Sequence, residues 1–145
     1  MRISTKGRYG LRTMMDIALH QSKGPVTLKE IAERQKISVK YLWQVINPLK
    51  QAGILGVMRG AKGGYVLIKQ PEQITMHDIV TVLEGPILIT DCLGKDNFCE
   101  QIDSCVARTV WAEVGAAVEN VLIGITFASV LKRYLAVHRE NDFVI

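Results

Sequence analysis

Acidic residues are scarce in the first half of this sequence. Residues 1–70 contain 13 Lys and Arg but only 3 Asp and Glu, whereas residues 71–145 contain 5 and 11. The two halves therefore carry net charges of +10 and −6, within a total of +4. A solvated basic face is one interpretation of this imbalance. Because a basic half joined to an acidic half is typical of polyanion binding, we expect residues 1–70 to contact nucleic acid.

Long apolar runs are also absent. The longest, from Val121 to Val130, is interrupted by Gly124, Thr126 and Ser129, so no membrane span is predicted. The N-terminus has no apolar segment of the kind found in secretory signals. We therefore expect a cytoplasmic protein with no membrane partner.

Signatures of catalysis are missing too. His20, His77 and His138 are scattered, and no Ser/His/Asp arrangement is visible. The glycine-rich stretch at 60–64 lacks the Lys-Ser/Thr of a phosphate-binding loop, and no helix follows it. The sequence therefore predicts neither an enzyme nor a small-molecule substrate. With 145 residues, 48% of them hydrophobic, the chain can bury one core in one or two small domains.

Cysteine occurs in one polar stretch only, as Cys92, Cys99 and Cys105 in a C-x6-C-x5-C spacing. The count is odd, which disfavours a disulfide framework, and no C-x2-C or His pair indicates a zinc finger. Ordinary reduced cysteines are the alternative, but these prefer a buried core to a polar loop. Clustered thiolates are soft ligands, so the spacing favours an iron–sulfur, zinc or copper(I) site.

The basic half shows the pattern of a helix-turn-helix. A first helix from Ser4 or Thr5 to about Gln21 precedes a Thr27–Glu30 capping box, which starts a second helix. Ser38 is a good N-cap for a third helix, and Pro48 marks a kink or the start of a short helix ending at Gly53. The predicted inner stripe of the third helix is Val39, Leu42, Val45 and Ile46. Two short helices joined by a tight turn are typical of DNA-binding domains.

A β-hairpin is predicted directly after the helix-turn-helix. Residues 54–59 and 65–69 are β-rich and flank the glycine-rich stretch, with Arg59 and Lys62 at its tip. A hairpin in this position is the wing of a winged helix. The predicted fold class is therefore mainly α, a winged helix-turn-helix with a two-stranded β wing and a long C-terminal dimerisation helix.

The acidic half divides into three predicted segments. Residues 71–90 form a connecting helix capped by Thr75, residues 91–106 form the cysteine loop, and residues 107–145 contain a long helix and a C-terminal helix. The long helix, from about Ala107 to Ile123, has a wider apolar face than one core contact needs. That surplus predicts a homodimer. Gly124 is the predicted C-cap of the long helix, and Thr126 is the predicted N-cap of the last helix.

The whole pattern resembles the bacterial winged-helix family that includes IscR, NsrR, RirA and CymR. The resemblance rests on the opening Met1–Gly10, on Leu28–Ala32, on Tyr41-Leu42 with Gln44, on Arg59-Gly60 with Gly63–Tyr65, on Leu83–Pro86 and on the three cysteines. It implies a homodimeric transcription factor that senses iron–sulfur cluster status and binds double-stranded operator DNA. The cluster, [2Fe–2S] by preference and otherwise [4Fe–4S], would be held by Cys92, Cys99 and Cys105.

The resemblance and the helix-turn-helix together define a set of candidate DNA-binding residues. It comprises Lys6, Arg8, Arg12, Thr27, Ser38, Lys40, Tyr41, Trp43, Gln44, Arg59, Gly60 and Lys62. Most of the basic members would contact phosphates, and the third helix would enter the major groove. Arg59 would lie near a minor groove.

Two positions depart from the family pattern. Arg108 stands where IscR-type members have a His as fourth cluster ligand, and a guanidinium cannot coordinate iron. Trp43 stands where they have a Glu that discriminates between operators. The fourth ligand would then be another residue, with Asp91, Glu100, Asp103 and His77 as candidates, an exogenous group, or a side chain of the partner chain. Two alternatives stay open: a thiol- or nitric-oxide-sensing regulator of the same fold, and an iron–sulfur carrier or redox protein.

Overall fold

The computed structural model describes residues 1–95 and 99–141, the last two by their backbone. Parts of the predicted cysteine loop and of the C-terminal segment, residues 96–98 and 142–145, lie outside this range. The described chain folds into six α-helices and one β-hairpin. In chain order these are α1 (Thr5–His20), α2 (Leu28–Gln35), α3 (Val39–Gln51), β1 (Leu55–Met58), β2 (Gly64–Leu67), α4 (Met76–Glu84), α5 (Val106–Gly124) and α6 (Phe127–Asn141).

The helix starts follow local capping chemistry. Thr27 accepts a hydrogen bond from the Glu30 N–H, and the Glu30 carboxylate accepts from the Thr27 N–H, which closes the predicted capping box. Thr75 and Asp78 form a second box at the start of α4. The predicted caps Ser38 and Thr126 also accept from the N–H groups three residues on. These predictions are confirmed because caps depend on neighbours in sequence.

Helix α3 corrects two sequence predictions. It continues through Pro48 as one helix to Gln51, so the predicted new helix ending at Gly53 is wrong. Val39 is 42% exposed and does not belong to the inner stripe, whereas Leu49, beyond the proline, is fully buried. The buried stripe of Leu42, Val45, Ile46 and Leu49 continues past Pro48, and its burial holds the last turn in place.

The hairpin is antiparallel, with Leu55 opposite Leu67 and Met58 opposite Gly64. It is fastened to the start of α2, because the Val26 N–H donates to the Tyr65 carbonyl at 3.0 Å and the Tyr65 N–H donates back at 2.8 Å. Gly64 must be a glycine here, since a Cβ would lie 2.7 Å from the Val26 backbone. The predicted mainly α fold with a two-stranded wing is confirmed.

The end of the chain returns to the core. Helix α5 ends at Gly124, and Ile125, one residue later than predicted, is its C-cap. The Phe127 N–H then donates to the Ile74 carbonyl at 2.7 Å, and the Phe127 ring is fully buried in the main core cluster. The core of the winged helix is therefore completed by the first residue of α6.

Candidate DNA-binding surface and cysteine loop

Helix α3 presents a polar and aromatic face outside its buried stripe. Lys40, Trp43 and Gln44 are exposed, and the Trp43 side chain is 45% accessible. A large aromatic ring in solvent is available to contact a partner. Lys40 and Gln44 add a cation and an amide, groups that hydrogen-bond phosphates or base edges.

Tyr41 is held by a second tyrosine that the sequence analysis did not single out. Its ring meets Tyr9 of α1 edge to face, with the ring centroids 5.6 Å apart. The Arg12 guanidinium lies 5.3 Å from the centroid of Tyr9. This stack fixes the start of α3 against α1, so Tyr41 is half-buried and its orientation is set by α1.

Arg12 has a structural role that its predicted phosphate contact did not include. Its Nε donates to the Gln35 side-chain oxygen at 3.1 Å, and its terminal nitrogen donates to the Gln35 carbonyl at 2.7 Å. The latter bond satisfies a carbonyl at the end of α2. Arg12 therefore fastens α1 to the turn between the two helices of the motif.

A buried carboxylate completes this junction. Asp16 of α1 is 1% exposed and forms a bidentate pair with Arg34. The Arg34 Nε donates to Oδ2 at 3.0 Å, and a terminal nitrogen donates to Oδ1 at 2.7 Å. The Gln35 amide donates to the same carboxylate at 2.9 Å. The hydrogen bond to Asp16 raises the pKa of Arg34, which keeps the guanidinium charged. Helical periodicity gave no signal for this contact.

Replacing Asp16 with Asn is expected to destabilise the helix-turn-helix. Removing one member of a buried ion pair leaves the other unpaired, and Arg34 is one-third exposed, so we expect a loss of roughly 2–3 kcal/mol. Denaturant unfolding at fixed protein concentration measures it. Glu33→Gln, an exposed acid on α2, is the control and should change stability by less than about 0.5 kcal/mol. An Asp16→Asn variant as stable as this control would contradict the role of the pair.

The tip of the wing is exposed and basic. Arg59, Gly60 and Lys62 all face solvent, as predicted for contacts to DNA. Gly60 has φ +125°, which favours glycine, and the Gly63 N–H donates back to the Gly60 carbonyl at 3.0 Å. The loop is thus a tight turn that presents two cations.

The N-termini of α1, α2 and α3 carry the remaining candidate residues. Arg8 is exposed and donates to the Thr5 hydroxyl at 3.1 Å, while Lys6 is half-buried. Thr27 and Ser38 are exposed caps. The backbone and side-chain hydrogen bonds from Thr27 lower the pKa of Glu30 below its ordinary value, so the capping box stays ionised at neutral pH. Helix N-termini attract phosphates, which suits both caps.

The cysteine loop is fastened at both ends to the start of α5. Cys92 lies in a short 3-10 turn, Asp91–Leu93, where its Sγ lies 3.0 Å from the Thr90 hydroxyl. Cys105 is the residue before α5. The Arg108 Nε donates to the Cys92 carbonyl at 3.2 Å and thereby joins the first cysteine to the helix that follows the last. Arg108 therefore has a structural function at the position where IscR-type members have a His.

The three thiols fit an iron–sulfur cluster by their chemistry and by their position on one loop. Cys92 and Cys105 are half-buried and Cys99 is exposed. Among the described residues, no three His, Cys, Asp or Glu side chains already lie close enough to hold a metal ion. Of the candidate fourth ligands, Asp91, Glu100 and Asp103 are exposed on the loop, whereas His77 lies in the first turn of α4.

Helix α5 exposes a long apolar surface. Its members, spread over most of the helix, are Val106, Val110, Trp111, Val114, Val121 and Ile123. Gly115 is the one buried residue of α5, where the helix contacts Ile89. As to membranes, none of the described helices combines the length and hydropathy that a span requires.

These features define a winged-helix DNA-binding transcriptional regulator. The chain matches the Rrf2 family model, described as an iron-dependent transcriptional regulator, over residues 3–133, and it belongs to this family. The prediction that it is not an enzyme is confirmed by that membership.

Two curated relatives and two solved structures illustrate the similarity. The HTH-type transcriptional regulator IscR of Serratia proteamaculans is 37% identical over 98% of this chain and 88% of its own. Protein rrf2 of Nitratidesulfovibrio vulgaris is 39% identical over 91% and 88%. The structure of CymR, the global cysteine regulator of B. subtilis, has a TM-score of 0.76 with 40% identity over 92% and 98%. T. potens IscR has a TM-score of 0.73 with 42% identity over 92% and 88%.

Proposed function

We propose that this regulator binds operator DNA as a cytoplasmic homodimer and that an iron–sulfur cluster on residues 91–106 sets its affinity. One observation carries the DNA-binding part: α3 is anchored by a fully buried stripe and presents Lys40, Trp43 and Gln44 to solvent. A rigid helix with an exposed polar face fits the major groove. The sensing part rests on three cysteines in one loop whose two ends are both held at the start of α5.

The proposed contacts divide by chemistry. Lys40, Tyr41, Trp43 and Gln44 would contact base edges or nearby sugars and phosphates, because they lie on the outer face of α3 or at its start. Trp43 cannot accept a hydrogen bond from cytosine, so its partner would be a thymine methyl group or a sugar. Contacts to the backbone would come from the N-termini and the wing, through Lys6, Arg8, Thr27, Ser38, Gly60 and Lys62. Arg59 would lie near a minor groove.

The proposed dimer would bury the apolar face of α5. A groove of about 360 Å³, lined by Val114, Ala117, Val118, Val121 and Leu122, lies on this face. Monomeric proteins rarely leave so continuous an apolar surface in water. Two copies related by a two-fold axis would cover it and place the two α3 helices for adjacent half-sites.

The proposed ligands are Cys92, Cys99 and Cys105, with a fourth that is not Arg108. When bound, the cluster would supply a group whose presence depends on iron and on oxidants. Cys105 stands at the N-terminus of α5, where a helix stabilises negative charge. The Arg108 hydrogen bond would hold Cys92 beside it. We favour [2Fe–2S] over [4Fe–4S].

Direct thiol sensing is the second candidate function. Cys99 is exposed, Cys92 and Cys105 are half-buried, and Arg108 replaces the expected His ligand. An exposed thiol is accessible to oxidants or nitric oxide without any metal. In this case the same fold would regulate DNA binding through oxidation of the loop.

The test combines two measurements on anaerobically purified full-length protein. Iron and acid-labile sulfide should be near equal, with about two of each per subunit for [2Fe–2S] and about four for [4Fe–4S]. A duplex of roughly 30 base pairs, selected from random DNA by repeated binding to the wild-type protein, should cover two half-sites one helical turn apart. Its affinity should differ about 5- to 150-fold between loaded and unloaded protein. If the protein contains no metal and resists reconstitution, direct thiol sensing is the candidate function that remains.

A further inference from the structure

The start of α1 lacks an acidic residue of its own. The first turn contains no Asp or Glu, although Lys6 and Arg8 lie in its first four residues. Positive charge at a helix N-terminus is unfavourable because the unpaired N–H groups already carry partial positive charge. A negative partner from elsewhere in the chain would stabilise this end of the helix.

Glu84 supplies that charge from 80 positions away. Its Oε1 accepts from the Ser4 N–H at 3.0 Å and from the Ser4 hydroxyl at 2.7 Å. The same Ser4 hydroxyl accepts from the Gly7 N–H at 3.3 Å and caps α1. Glu84 is the last residue of α4, where its charge is unfavourable for α4 itself. The carboxylate therefore stabilises the N-terminus of α1 and does not stabilise its own helix.

Two glycines of α1 allow this close approach. A Cβ on Gly7 would overlap the Glu84 carboxylate, and a Cβ on Gly10 would overlap the Leu83 side chain. Both glycines are buried against the C-terminal turn of α4. A side chain at either position would disrupt the contact between α1 and α4. This contact fixes the turn of α1 that presents Lys6 and Arg8.

We propose that Glu84 is a positioning residue for DNA binding: through Ser4 it holds the first turn of α1 so that Lys6 and Arg8 reach the DNA phosphates. This inference rests on the proposed function. Glu84 itself does not touch DNA. It also directly precedes the segment 85–91 that leads to Cys92, so the same contact connects the cysteine loop with the DNA-binding surface.

The sign of the effect separates positioning from simple electrostatics. Glu84→Gln removes a negative charge, which by charge alone would strengthen binding to a polyanion. Positioning predicts the opposite: about 5- to 10-fold weaker binding to the selected duplex, and a plot of log K against log salt that is shallower by about one to two units. Glu72→Gln, at an exposed glutamate of the same charge, is the matched control and should not weaken binding. Equal behaviour of the two variants would overturn the proposal.

A double substitution tests whether Glu84 acts through Lys6. Lys6→Ala should weaken binding in the wild-type protein but have a smaller effect in the Glu84→Gln background, because the positioned contact is already lost. Thermal melting of each variant shows that it is folded, and Ser4→Ala provides a milder break of the same contact. Additive losses from Lys6→Ala and Glu84→Gln would contradict the proposal. If the wild-type protein selects no duplex at all, the proposed function fails and this inference fails with it.

Discussion

Alanine at Cys92, Cys99 or Cys105 is expected to remove bound iron and sulfide almost completely. Each substitution deletes one of three proposed thiolate ligands, and the loop contains no fourth cysteine to replace it. The difference in affinity for the selected duplex between reconstituted and untreated protein should disappear as well. Iron and sulfide analysis, the visible absorption spectrum and a binding titration measure these results on the same anaerobic preparation.

The dimer should survive these substitutions. The cysteines lie outside the main core cluster, so size and melting temperature should stay close to those of the wild-type protein. Ser104→Ala, next to Cys105 and without a thiol, is the matched control and should keep its iron. A cysteine variant that keeps a full cluster would remove that residue from the ligand set. Loss of the dimer together with the cluster would instead give the loop a structural function.

Replacing Phe127 with alanine is expected to lower the free energy of unfolding by about 3–5 kcal/mol. Phe127 is among the largest fully buried side chains, and it fills the main core from the first position of α6. The lost ring would leave a cavity where α6 meets the segment before α4. Chemical denaturation at fixed protein concentration, with tryptophan fluorescence, gives the difference.

Two controls define how much of that loss comes from the cavity. Phe127→Leu keeps most of the apolar volume and should cost less than about 1.5 kcal/mol. Leu135→Ala, on the exposed side of the same helix, should cost far less than Phe127→Ala. If all three variants were equally stable, α6 would contribute nothing to the core of the winged helix.

Sequence reasoning succeeded where the determinant is local. The caps at Thr27, Ser38, Thr75 and Thr126 bind N–H groups three residues away, so a short window contains both partners. The hairpin is local too, because glycines supply its tight turn. Sequence reasoning failed at Pro48, where it predicted a new helix, because it considered only the missing N–H of the proline. In the fold, burial of Leu49 outweighs that loss.

The exposure of the candidate DNA-binding surface was predicted in part. The exposed residues of α3 and the wing were found from periodicity and turn chemistry, because a helix with one buried stripe must present the other face to solvent. The support beneath that surface was not found. Tyr9 under Tyr41 depends on how α1 crosses α3, and periodicity indicates which residues are inside without indicating what they touch.

The sequence by itself determined the helix starts, the wing, the basic half and the presence of three thiols on one loop. Only the tertiary structure decided that Asp16 pairs with Arg34, that Glu84 caps α1 through Ser4, and that Arg108 holds Cys92. Each of these contacts joins residues 16 to 80 positions apart. A pairing over such a distance is selected by the packing of whole helices, and no local pattern of residues specifies it.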